Sequence, residues 1–154
     1  MALEPFILRP GEGRKIDLGG FLMSVKATAE STDGAFTLLE ATEPPHFGPP
    51  MHIHRNAAEA FYVLEGEYRI FIDGEETRCP ARSFIYIPAG AVHGFRVADV
   101  PSKKLNFYVP QAMVGYFDDL AAAISSGNVA DDKLAAIAEG YGMEVLGPVP
   151  EGYI

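Results

Sequence analysis

Prolines and glycines divide the first 110 residues of this 154-residue chain into short segments, and this punctuation limits the folds that the chain can adopt. Ten of the twelve prolines lie at or before Pro110. Because proline ends a helix and glycine weakens it, no stretch of this part shows a convincing helical period. The segments between the breaks are rich in β-branched and aromatic residues. We therefore expect short strands joined by tight turns.

Seven of these segments are typical of β-strands. They cover residues 21–28, 35–42, 60–64, 68–73, 84–87, 94–98 and 104–109. Asp33-Gly34 and Asp73-Gly74 are dipeptides that tolerate a positive φ angle in tight hairpins. Many short strands with frequent turns predict an antiparallel sandwich or a small barrel, and hence an all-β fold. The absence of a glycine-rich phosphate loop argues against a dinucleotide-binding fold.

The pattern changes to a helical period after residue 110. Apolar residues recur at helical spacing at Met113, Tyr116, Phe117, Leu120, Ala121 and Ile124. Ser125-Ser126-Gly127 ends this helix, and we expect Asn128 to cap a second one. We therefore divide the chain into a β domain, residues 1–110, and a helical extension with an extended tail, residues 111–154. The helices either pack on the outside of the β domain or form a lid or a dimer contact.

Composition and charge restrict the partners and the location. The chain has 48% apolar and 21% charged residues, as an ordinary globular protein has, and a net charge of −9. Such a charge repels phosphate backbones and anionic lipid, so we expect neither nucleic acid nor membrane as a partner. The start of the chain does not look like a secretory signal, and no apolar run approaches a membrane span. With a single cysteine, Cys79, the sequence predicts a cytoplasmic protein.

Four residues form the pattern that carries chemistry: His52, His54, Glu59 and His93. In a strand, alternate residues face the same side, so His52 and His54 present two imidazoles together. Glu59 can return on the neighbouring strand, and the turn before His93 can direct that side chain inward. Three imidazoles and one carboxylate suit a divalent transition ion such as Fe, Ni, Mn, Co, Cu or Zn. The alternative is that the histidines only cap strands or satisfy hydrogen bonds.

The spacing of these residues resembles the cupin family. His52, His54, Glu59 and Gly66 match the first cupin motif, and Pro88, Gly90 and His93 match the second. The chain departs from the motifs at three positions, where His46 and Arg82 replace glycines and Val97 replaces an asparagine. The resemblance implies a small cupin β-barrel of the double-stranded β-helix, or jelly-roll, type. It also implies a homodimer, for which an exposed edge strand near the N-terminus is available.

Within that family, the chain resembles the single-domain bacterial cupins grouped with quercetin 2,3-dioxygenases. The resemblance implies that the three histidines and Glu59 hold the metal, and that Glu59 also takes a proton from a flavonol-like aromatic or enolic substrate. By strand parity, Phe61, Val63 and Phe95 line the substrate pocket beside the metal, or are plain core. A non-redox isomerase or lyase, and a binding module without turnover, remain alternatives with the same ligands.

Overall fold

The structure is a computed structural model that describes residues 2–149 of the chain. The strands are Arg14–Asp17 (β1), Leu22–Ala27 (β2), Thr37–Glu43 (β3), Met51–His54 (β4), Ala58–Glu65 (β5), Glu67–Ile72 (β6), Glu75–Pro80 (β7), Phe84–Ile87 (β8), His93–Val97 (β9), Ser102–Val109 (β10) and Met143–Gly147 (β11). The helices are Ala29–Thr32 (α1), Val114–Ser126 (α2) and Asp131–Glu139 (α3).

The strands form two antiparallel sheets that face each other. One sheet has six strands in the order β1-β2-β3-β10-β5-β8, and the other has five in the order β11-β4-β9-β6-β7. The predicted all-β jelly-roll fold with a C-terminal helical extension is confirmed. It differs from the expectation in one respect: among the described strands, hydrogen-bonded pairing does not pass from one sheet to the other, so the sheets are not closed into a barrel.

Alternation along the strands places one face of each sheet in the interior. In β10, Ser102, Lys104, Asn106 and Tyr108 are buried and the residues between them are partly exposed or exposed. Two apolar clusters fill the interior. The first combines β1–β3 with the helical extension and includes Leu39, Tyr108, Met113, Ala138 and Met143. The second lies between β5, β6, β8 and β9 and includes Phe61, Val63, Tyr68, Ile70 and Phe95.

All seven predicted strands are present, with ends that differ by three residues or fewer. Four further strands, β1, β4, β7 and β11, lie outside the seven predicted segments. In β7, four of the six residues are charged or polar and exposed, because this strand is the edge of its sheet and is held by pairing with β6. The single-turn helix α1 begins at a capping box formed by Thr28 and Ser31.

The helical extension packs on the sandwich, but its second helix starts later than expected. The prediction that Asn128 caps it is wrong: α3 begins at Asp131 after Ala130. The Asn128 amide instead donates to the Ala123 carbonyl and helps to terminate α2, where Gly127 has a φ angle of 73°. In the part of the chain that the structure describes, none of the helices has the length and apolar character that a membrane crossing requires.

The segment after α3 returns to the sheet. Residues 143–147 form β11, which pairs antiparallel with β4 and places Met143 opposite His54 and Val145 opposite His52. The predicted extended tail is therefore a strand in this region, and its last residues, 150–154, lie outside the described residues. As a result, β4 is not an edge strand: it lies between β11 and β9.

Candidate metal centre

The four residues of the predicted site converge in the interior. His52 and His54 are the two inward-facing residues of β4, and His93 begins β9 directly opposite His52. Glu59 lies on β5, which belongs to the other sheet. Sequence reasoning placed Glu59 on a strand neighbouring the histidines. The three residues between β4 and β5 instead carry the chain across the sandwich, so that the carboxylate faces the imidazoles from the opposite sheet.

The side chains are close enough to share one ion. Their potential ligand atoms all lie within 4.8 Å of one another, and all four residues are buried. Glu59 Oε2 lies 2.8 Å from His93 Nε2 and 3.0 Å from His54 Nε2. The ring centroid of His52 lies 4.2 Å from that of His93 and 4.8 Å from that of His54. We call these four residues the imidazole cluster.

Backbone carbonyls fix the orientation of two imidazoles. His52 Nδ1 lies 2.7 Å from the Pro50 carbonyl oxygen, and His93 Nδ1 lies 3.0 Å from the Ala91 carbonyl oxygen. Because a carbonyl oxygen can only accept, each Nδ1 must carry the proton and donate it. The Nε2 atoms are then left to act as ligands, which is the arrangement that orients histidines in metal sites. Burial, together with nearby His93, lowers the pKa of His52 to about 3, so this imidazole is neutral.

The buried Glu59 carboxylate is balanced by a positive charge between it and the imidazoles. Burial raises the pKa of Glu59, but the nearby imidazoles of His54 and His93 outweigh it and hold that pKa well below its usual range. Burial lowers the pKa of His93, but the Glu59 carboxylate more than compensates and raises it. Without an ion, a proton shared between Glu59 Oε2 and His93 Nε2 supplies this charge. A metal ion can replace it, because both atoms can act as ligands.

A further observation supports the fit of these four side chains to a divalent transition ion. Among the described buried side chains, His54 Nε2 has no hydrogen-bond partner, although it lies deep in the interior. Leaving a buried polar nitrogen unpaired costs free energy, whereas a coordinated ion would satisfy it. Three imidazole nitrogens and one carboxylate oxygen are ligands that first-row transition ions accept, and they leave coordination positions open for other molecules.

Comparison with known proteins agrees with this geometry. Residues 39–103 match the cupin domain family. A search of characterised proteins finds quercetin 2,3-dioxygenase from Bacillus subtilis (strain 168), which is 30% identical over 116 residues. The alignment covers 75% of this chain and 34% of that protein, so the chain spans about a third of the length of this relative.

The chain belongs to the cupin superfamily. Solved structures support the same fold. KdgF from Halomonas sp. superimposes with a TM-score of 0.62 at 16% identity, covering 70% of this cupin and 94% of that chain. A predicted oxalate decarboxylase from Thermotoga maritima gives a TM-score of 0.61 at 19% identity, covering 68% and 99%. At such identities the likeness establishes the fold alone.

The two residues that replace glycines of the cupin motifs have the backbone conformation that glycine favours. His46 and Arg82, which stand at the two leading glycine positions, have φ angles of 65° and 75°. Gly90 of the second motif has a φ angle of 87°, and its amide donates to the His54 carbonyl oxygen at 2.9 Å. The turn before His93 therefore docks onto the strand that carries the other two histidines.

Tyr108 is a residue of the site that sequence reasoning missed. It lies opposite Glu59 in the pairing of β10 with β5, and its ring centroid is 5.6 Å from that of His54. Burial and the adjacent Glu59, which accepts its hydrogen bond, raise the pKa of Tyr108 well above the usual range. The hydroxyl therefore stays protonated and can hold the carboxylate in place. The available signal was its inward parity with Lys104 and Asn106 along β10.

The three predicted pocket residues, Phe61, Val63 and Phe95, are buried on the same inward faces as Glu59 and His93. The Lys104 ammonium lies 4.7 Å from the centroid of the Phe61 ring and 4.3 Å from that of Phe95. Aromatic rings at these distances stabilise a cation. The two phenylalanines therefore pack around a buried lysine, and their contact with a substrate stays a prediction.

That lysine belongs to a second buried polar group, which we call the lysine cluster: Glu43, Tyr68, Lys104 and Asn106. Lys104 Nζ donates to Asn106 Oδ1 at 2.8 Å and lies 2.9 Å from Glu43 Oε1. The Tyr68 hydroxyl donates to the same Glu43 oxygen at 2.9 Å. Sequence analysis did not identify this cluster, because lysine and glutamate in short strands usually face the solvent.

A cavity of about 560 Å³ opens beside the imidazole cluster, between the sandwich and the helices. His54 is the member of the cluster that reaches it. Its wall combines apolar side chains such as Met113 and Val114 with polar ones such as Thr37, Asn56 and Gln111. Of the three charged residues of the wall, Arg14 and Asp118 pair with each other at 2.8 and 3.1 Å, and Glu30 is the third.

Proposed function

We propose that this cupin is a metal-dependent enzyme, a dioxygenase that acts on an aromatic or enolic, flavonol-like small molecule. The observation that carries the proposal is the buried imidazole cluster, with its unpartnered His54 Nε2 next to a cavity of about 560 Å³. A volume of this size lies in the range of small-molecule sites. An ion held only to stabilise the fold would need no such cavity beside it.

His52, His54, Glu59 and His93 would hold the ion. A divalent transition ion supplies Lewis acidity that lowers the pKa of a substrate hydroxyl and, where it is redox-active, access to dioxygen chemistry. The native metal is a separate question, because this ligand set accepts Fe, Ni, Mn, Co, Cu and Zn. Elemental analysis of the protein purified without a metal-binding tag identifies it.

Glu59 would act as the general base. Its low pKa makes it an anion at the start of the reaction, and its Oε2 faces the place where the imidazole nitrogens converge. A substrate hydroxyl brought to that place can transfer its proton to Glu59 as the enolate forms. Tyr108, hydrogen-bonded to Glu59, would keep the carboxylate directed at the substrate oxygen.

The cavity beside His54 would receive the body of the substrate. Its mixed wall offers hydroxyl and amide groups of Thr37, Asn56 and Gln111, which can exchange hydrogen bonds with substrate hydroxyls. Among the described residues of the wall, the one cation, Arg14, is paired with Asp118, and Glu30 adds a negative charge, so the wall does not attract a phosphate or carboxylate. This balance favours a neutral, hydroxylated molecule over a sugar phosphate.

The relationship to the Bacillus subtilis quercetin 2,3-dioxygenase supports the choice of a dioxygenase. The test is oxygen uptake by protein loaded with each of the six metals in turn, over a panel of flavonols, catechols and β-diketones. We expect turnover with at least one redox-active metal. Absence of oxygen uptake over the whole panel, with the metal bound in full amount, would count against a dioxygenase.

The same preparation separates the alternatives. Conversion of substrate without oxygen, and equally well with zinc, would indicate an isomerase or lyase. Saturable binding of a panel compound without conversion under either condition would indicate a binding module. Glu59→Gln distinguishes an enzyme from a binding module, because the loss of a general base lowers the rate by about 10²–10⁴-fold and leaves ligand affinity largely unchanged.

A further inference from the structure

The two strands that carry the three histidines share little of the hydrogen-bond ladder. In the described pairing, β4 meets β9 at one pair of residues, His52 and His93. On its other side, β9 pairs with β6 along all five of its residues. We call the contact between β4 and β9 the seam. Backbone pairing aligns the two strands at one point of the seam only, and this point lies where two of the proposed ligands face each other.

The orientation of each of these imidazoles depends on its own strand. His52 Nδ1 lies 2.7 Å from the Pro50 carbonyl oxygen, and His93 Nδ1 lies 3.0 Å from the Ala91 carbonyl oxygen. Each carbonyl lies two residues before its histidine, so these contacts orient the rings without joining the two strands. The distance between the rings therefore follows the distance between β4 and β9. Because a metal site needs its ligands held to within about 0.5 Å, the packing at the seam matters for the ion.

Val149 packs on the outer side of the seam. It is the last residue that the structure describes, and its side chain is only 1% exposed. A Cβ atom at Gly94 would lie 2.9 Å from Val149 Cγ1, and one at Gly48 would lie 3.3 Å from Val149 Cγ2. Gly94 follows His93 in β9, and Gly48 lies in the segment that leads into β4. The two methyl groups therefore reach both sides of the seam.

Glycine at position 94 makes this close approach possible. Its Cβ atom would meet Met51 Sδ at 2.7 Å as well as the methyl group of Val149, so a side chain there would displace both. A glycine within a strand commonly marks a place where another segment approaches closely. By alternation, Met51 faces outward next to His52, as Gly94 does next to His93. Val149 thus packs directly behind the two ligands, on the far side of the sheet.

The backbone brings Val149 to the seam from the other edge of β4. The pairing of β11 with β4 ends at Gly147, opposite Met51, with a shift of register. Gly147 has a φ angle of 146°, which glycine adopts readily and other residues do not. The chain therefore leaves the sheet edge at Gly147, crosses β4 and reaches β9 two residues later.

We propose that Val149 is a positioning residue of the metal centre. Its side chain packs at Gly94 and fixes β9 against β4, and the alignment of these strands sets the distance between the His52 and His93 imidazoles. The inference rests on the metal-binding part of the proposed function and does not depend on the reaction. Loss of this side chain should change the affinity for the ion, whereas ordinary core packing affects only the stability of the fold.

The first experiment titrates the metal-free full chain with Co²⁺ and follows the visible absorption of the bound ion. Val149→Ala should weaken Co²⁺ binding by about tenfold or more, as the loss of groups that orient metal ligands does. Its spectrum should also change, because the ligands are no longer held in the same geometry. The matched control is Val25→Ala, which removes the same methyl groups from a buried valine of the other sheet. It should lower the stability and keep the affinity and the spectrum.

A second variant separates the shape of the side chain from its apolar character. Threonine has nearly the shape of valine, but burial of its hydroxyl is unfavourable. Val149→Thr should therefore be less stable than the native chain, yet the folded protein should bind Co²⁺ with near-native affinity. Circular dichroism verifies that each variant is folded before the titration.

A measurement without metal distinguishes this inference from the proposed function. In the metal-free protein, the NMR signals of the His52 and His93 ring nitrogens should shift in Val149→Ala and stay in place in Val25→Ala. If Val149→Ala binds Co²⁺ as tightly as the native chain and with the same spectrum, the inference alone is overturned. If the native chain does not bind Co²⁺, the inference and the proposed function are both overturned.

Discussion

Two groups of buried polar side chains lie in the interior of this cupin, and the protein satisfies them to different degrees. In the lysine cluster, the Lys104 ammonium has the Asn106 oxygen at 2.8 Å, the Glu43 carboxylate at 2.9 Å and aromatic rings around it. In the imidazole cluster, ring nitrogens converge on one carboxylate oxygen, and His54 Nε2 has no hydrogen-bond partner.

This difference separates a structural role from a functional one. A buried charge that is fully paired within the protein does not require an ion or a ligand, and removing it lowers the stability of the fold. A buried ring nitrogen without a hydrogen-bond partner can be satisfied by an ion or a ligand, and removing it affects binding and chemistry. The four predictions that follow test whether the two clusters divide these roles.

The largest expected effect concerns turnover and compares two buried carboxylates. Glu59→Gln should lower the rate per bound metal by about 10²–10⁴-fold, because an amide cannot accept the substrate proton. Glu43→Gln, the same change in the lysine cluster, should keep the rate per folded, metal-loaded molecule. Oxygen uptake combined with elemental analysis measures both. Equal losses in the two variants would contradict the division of roles.

The next effect concerns stability and compares two lysines. Lys104→Met should lower the free energy of unfolding by about 3–5 kcal/mol, because it leaves the Glu43 carboxylate buried without its cation. The outward-facing neighbour, Lys103, makes ion pairs of 3.7 and 3.9 Å at the partly exposed rim. Lys103→Met should therefore cost less than about 1 kcal/mol. Urea denaturation measures both values.

A rescue experiment makes this prediction sharper. Adding Glu43→Leu to Lys104→Met removes the unpaired charge and should recover most of the lost stability. If the double variant is as unstable as Lys104→Met alone, packing around the lysine stem, and not the charge, accounts for the loss.

The third effect is stabilisation by metal. The imidazole cluster joins β5 of one sheet to β4 and β9 of the other, so an ion held there connects the two sheets. A metal at a hundred times its Kd should raise the free energy of unfolding by about 2.7 kcal/mol. Lys104→Met should gain the same increment from a lower starting value, whereas His54→Gln should gain much less. Thermal denaturation with and without metal checks this.

The smallest effect is a pH dependence of the metal-free protein. The pKa of His52 is about 3 in the folded state against an ordinary value of 6.5, so the unfolded chain binds a proton that the folded chain excludes. The stabilisation by His52 is therefore complete above pH 6.5 and decreases as the pH falls towards 3. Between pH 6.5 and about 5, His52→Asn should reduce the acid sensitivity of stability by up to about 1.4 kcal/mol per pH unit.

His93 provides the opposite sign as a control. Its pKa is raised by Glu59, against the effect of burial, so its contribution is complete below the ordinary pKa and decreases as the pH rises through the raised one. His93→Asn should therefore increase the acid sensitivity. Identical pH profiles for the two variants would show that neither imidazole titrates as assigned.

Much of the fold could be predicted because its signals are local. Turn residues and alternation located seven of the strands, and the change to a helical period located α2. One of the missing strands depends on a partner that lies far away in sequence: β11 is a strand because it pairs with β4, about ninety residues earlier. The prediction for Asn128 was wrong because its amide donates to the end of α2. That hydrogen bond depends on the backbone conformation of Gly127 and not on the helix that follows.

The candidate site shows the same limit. The spacing of His52, His54, Glu59 and His93 predicted a common centre, but not that Glu59 reaches it from the opposite sheet. Burial of Lys104 depends on Glu43, sixty-one positions away, so the sequence around Lys104 alone does not indicate that this lysine is buried. His46 and Arg82 read as departures from the cupin motifs, yet both take the backbone conformation of the glycines they replace. A motif of residue types does not record that conformation.

The position of β4 between β9 and β11 has a consequence for the order in which the molecule is assembled during synthesis. On one side β4 pairs with β9 only at His52 and His93, whereas β11 pairs with all four residues of β4 on its other side. Arg55, directly after β4, adds ion pairs to Glu139 at 2.6 Å and Glu144 at 3.5 Å. During synthesis, all four residues of the imidazole cluster are therefore present well before residues 143–147, the strand that completes the pairing of β4.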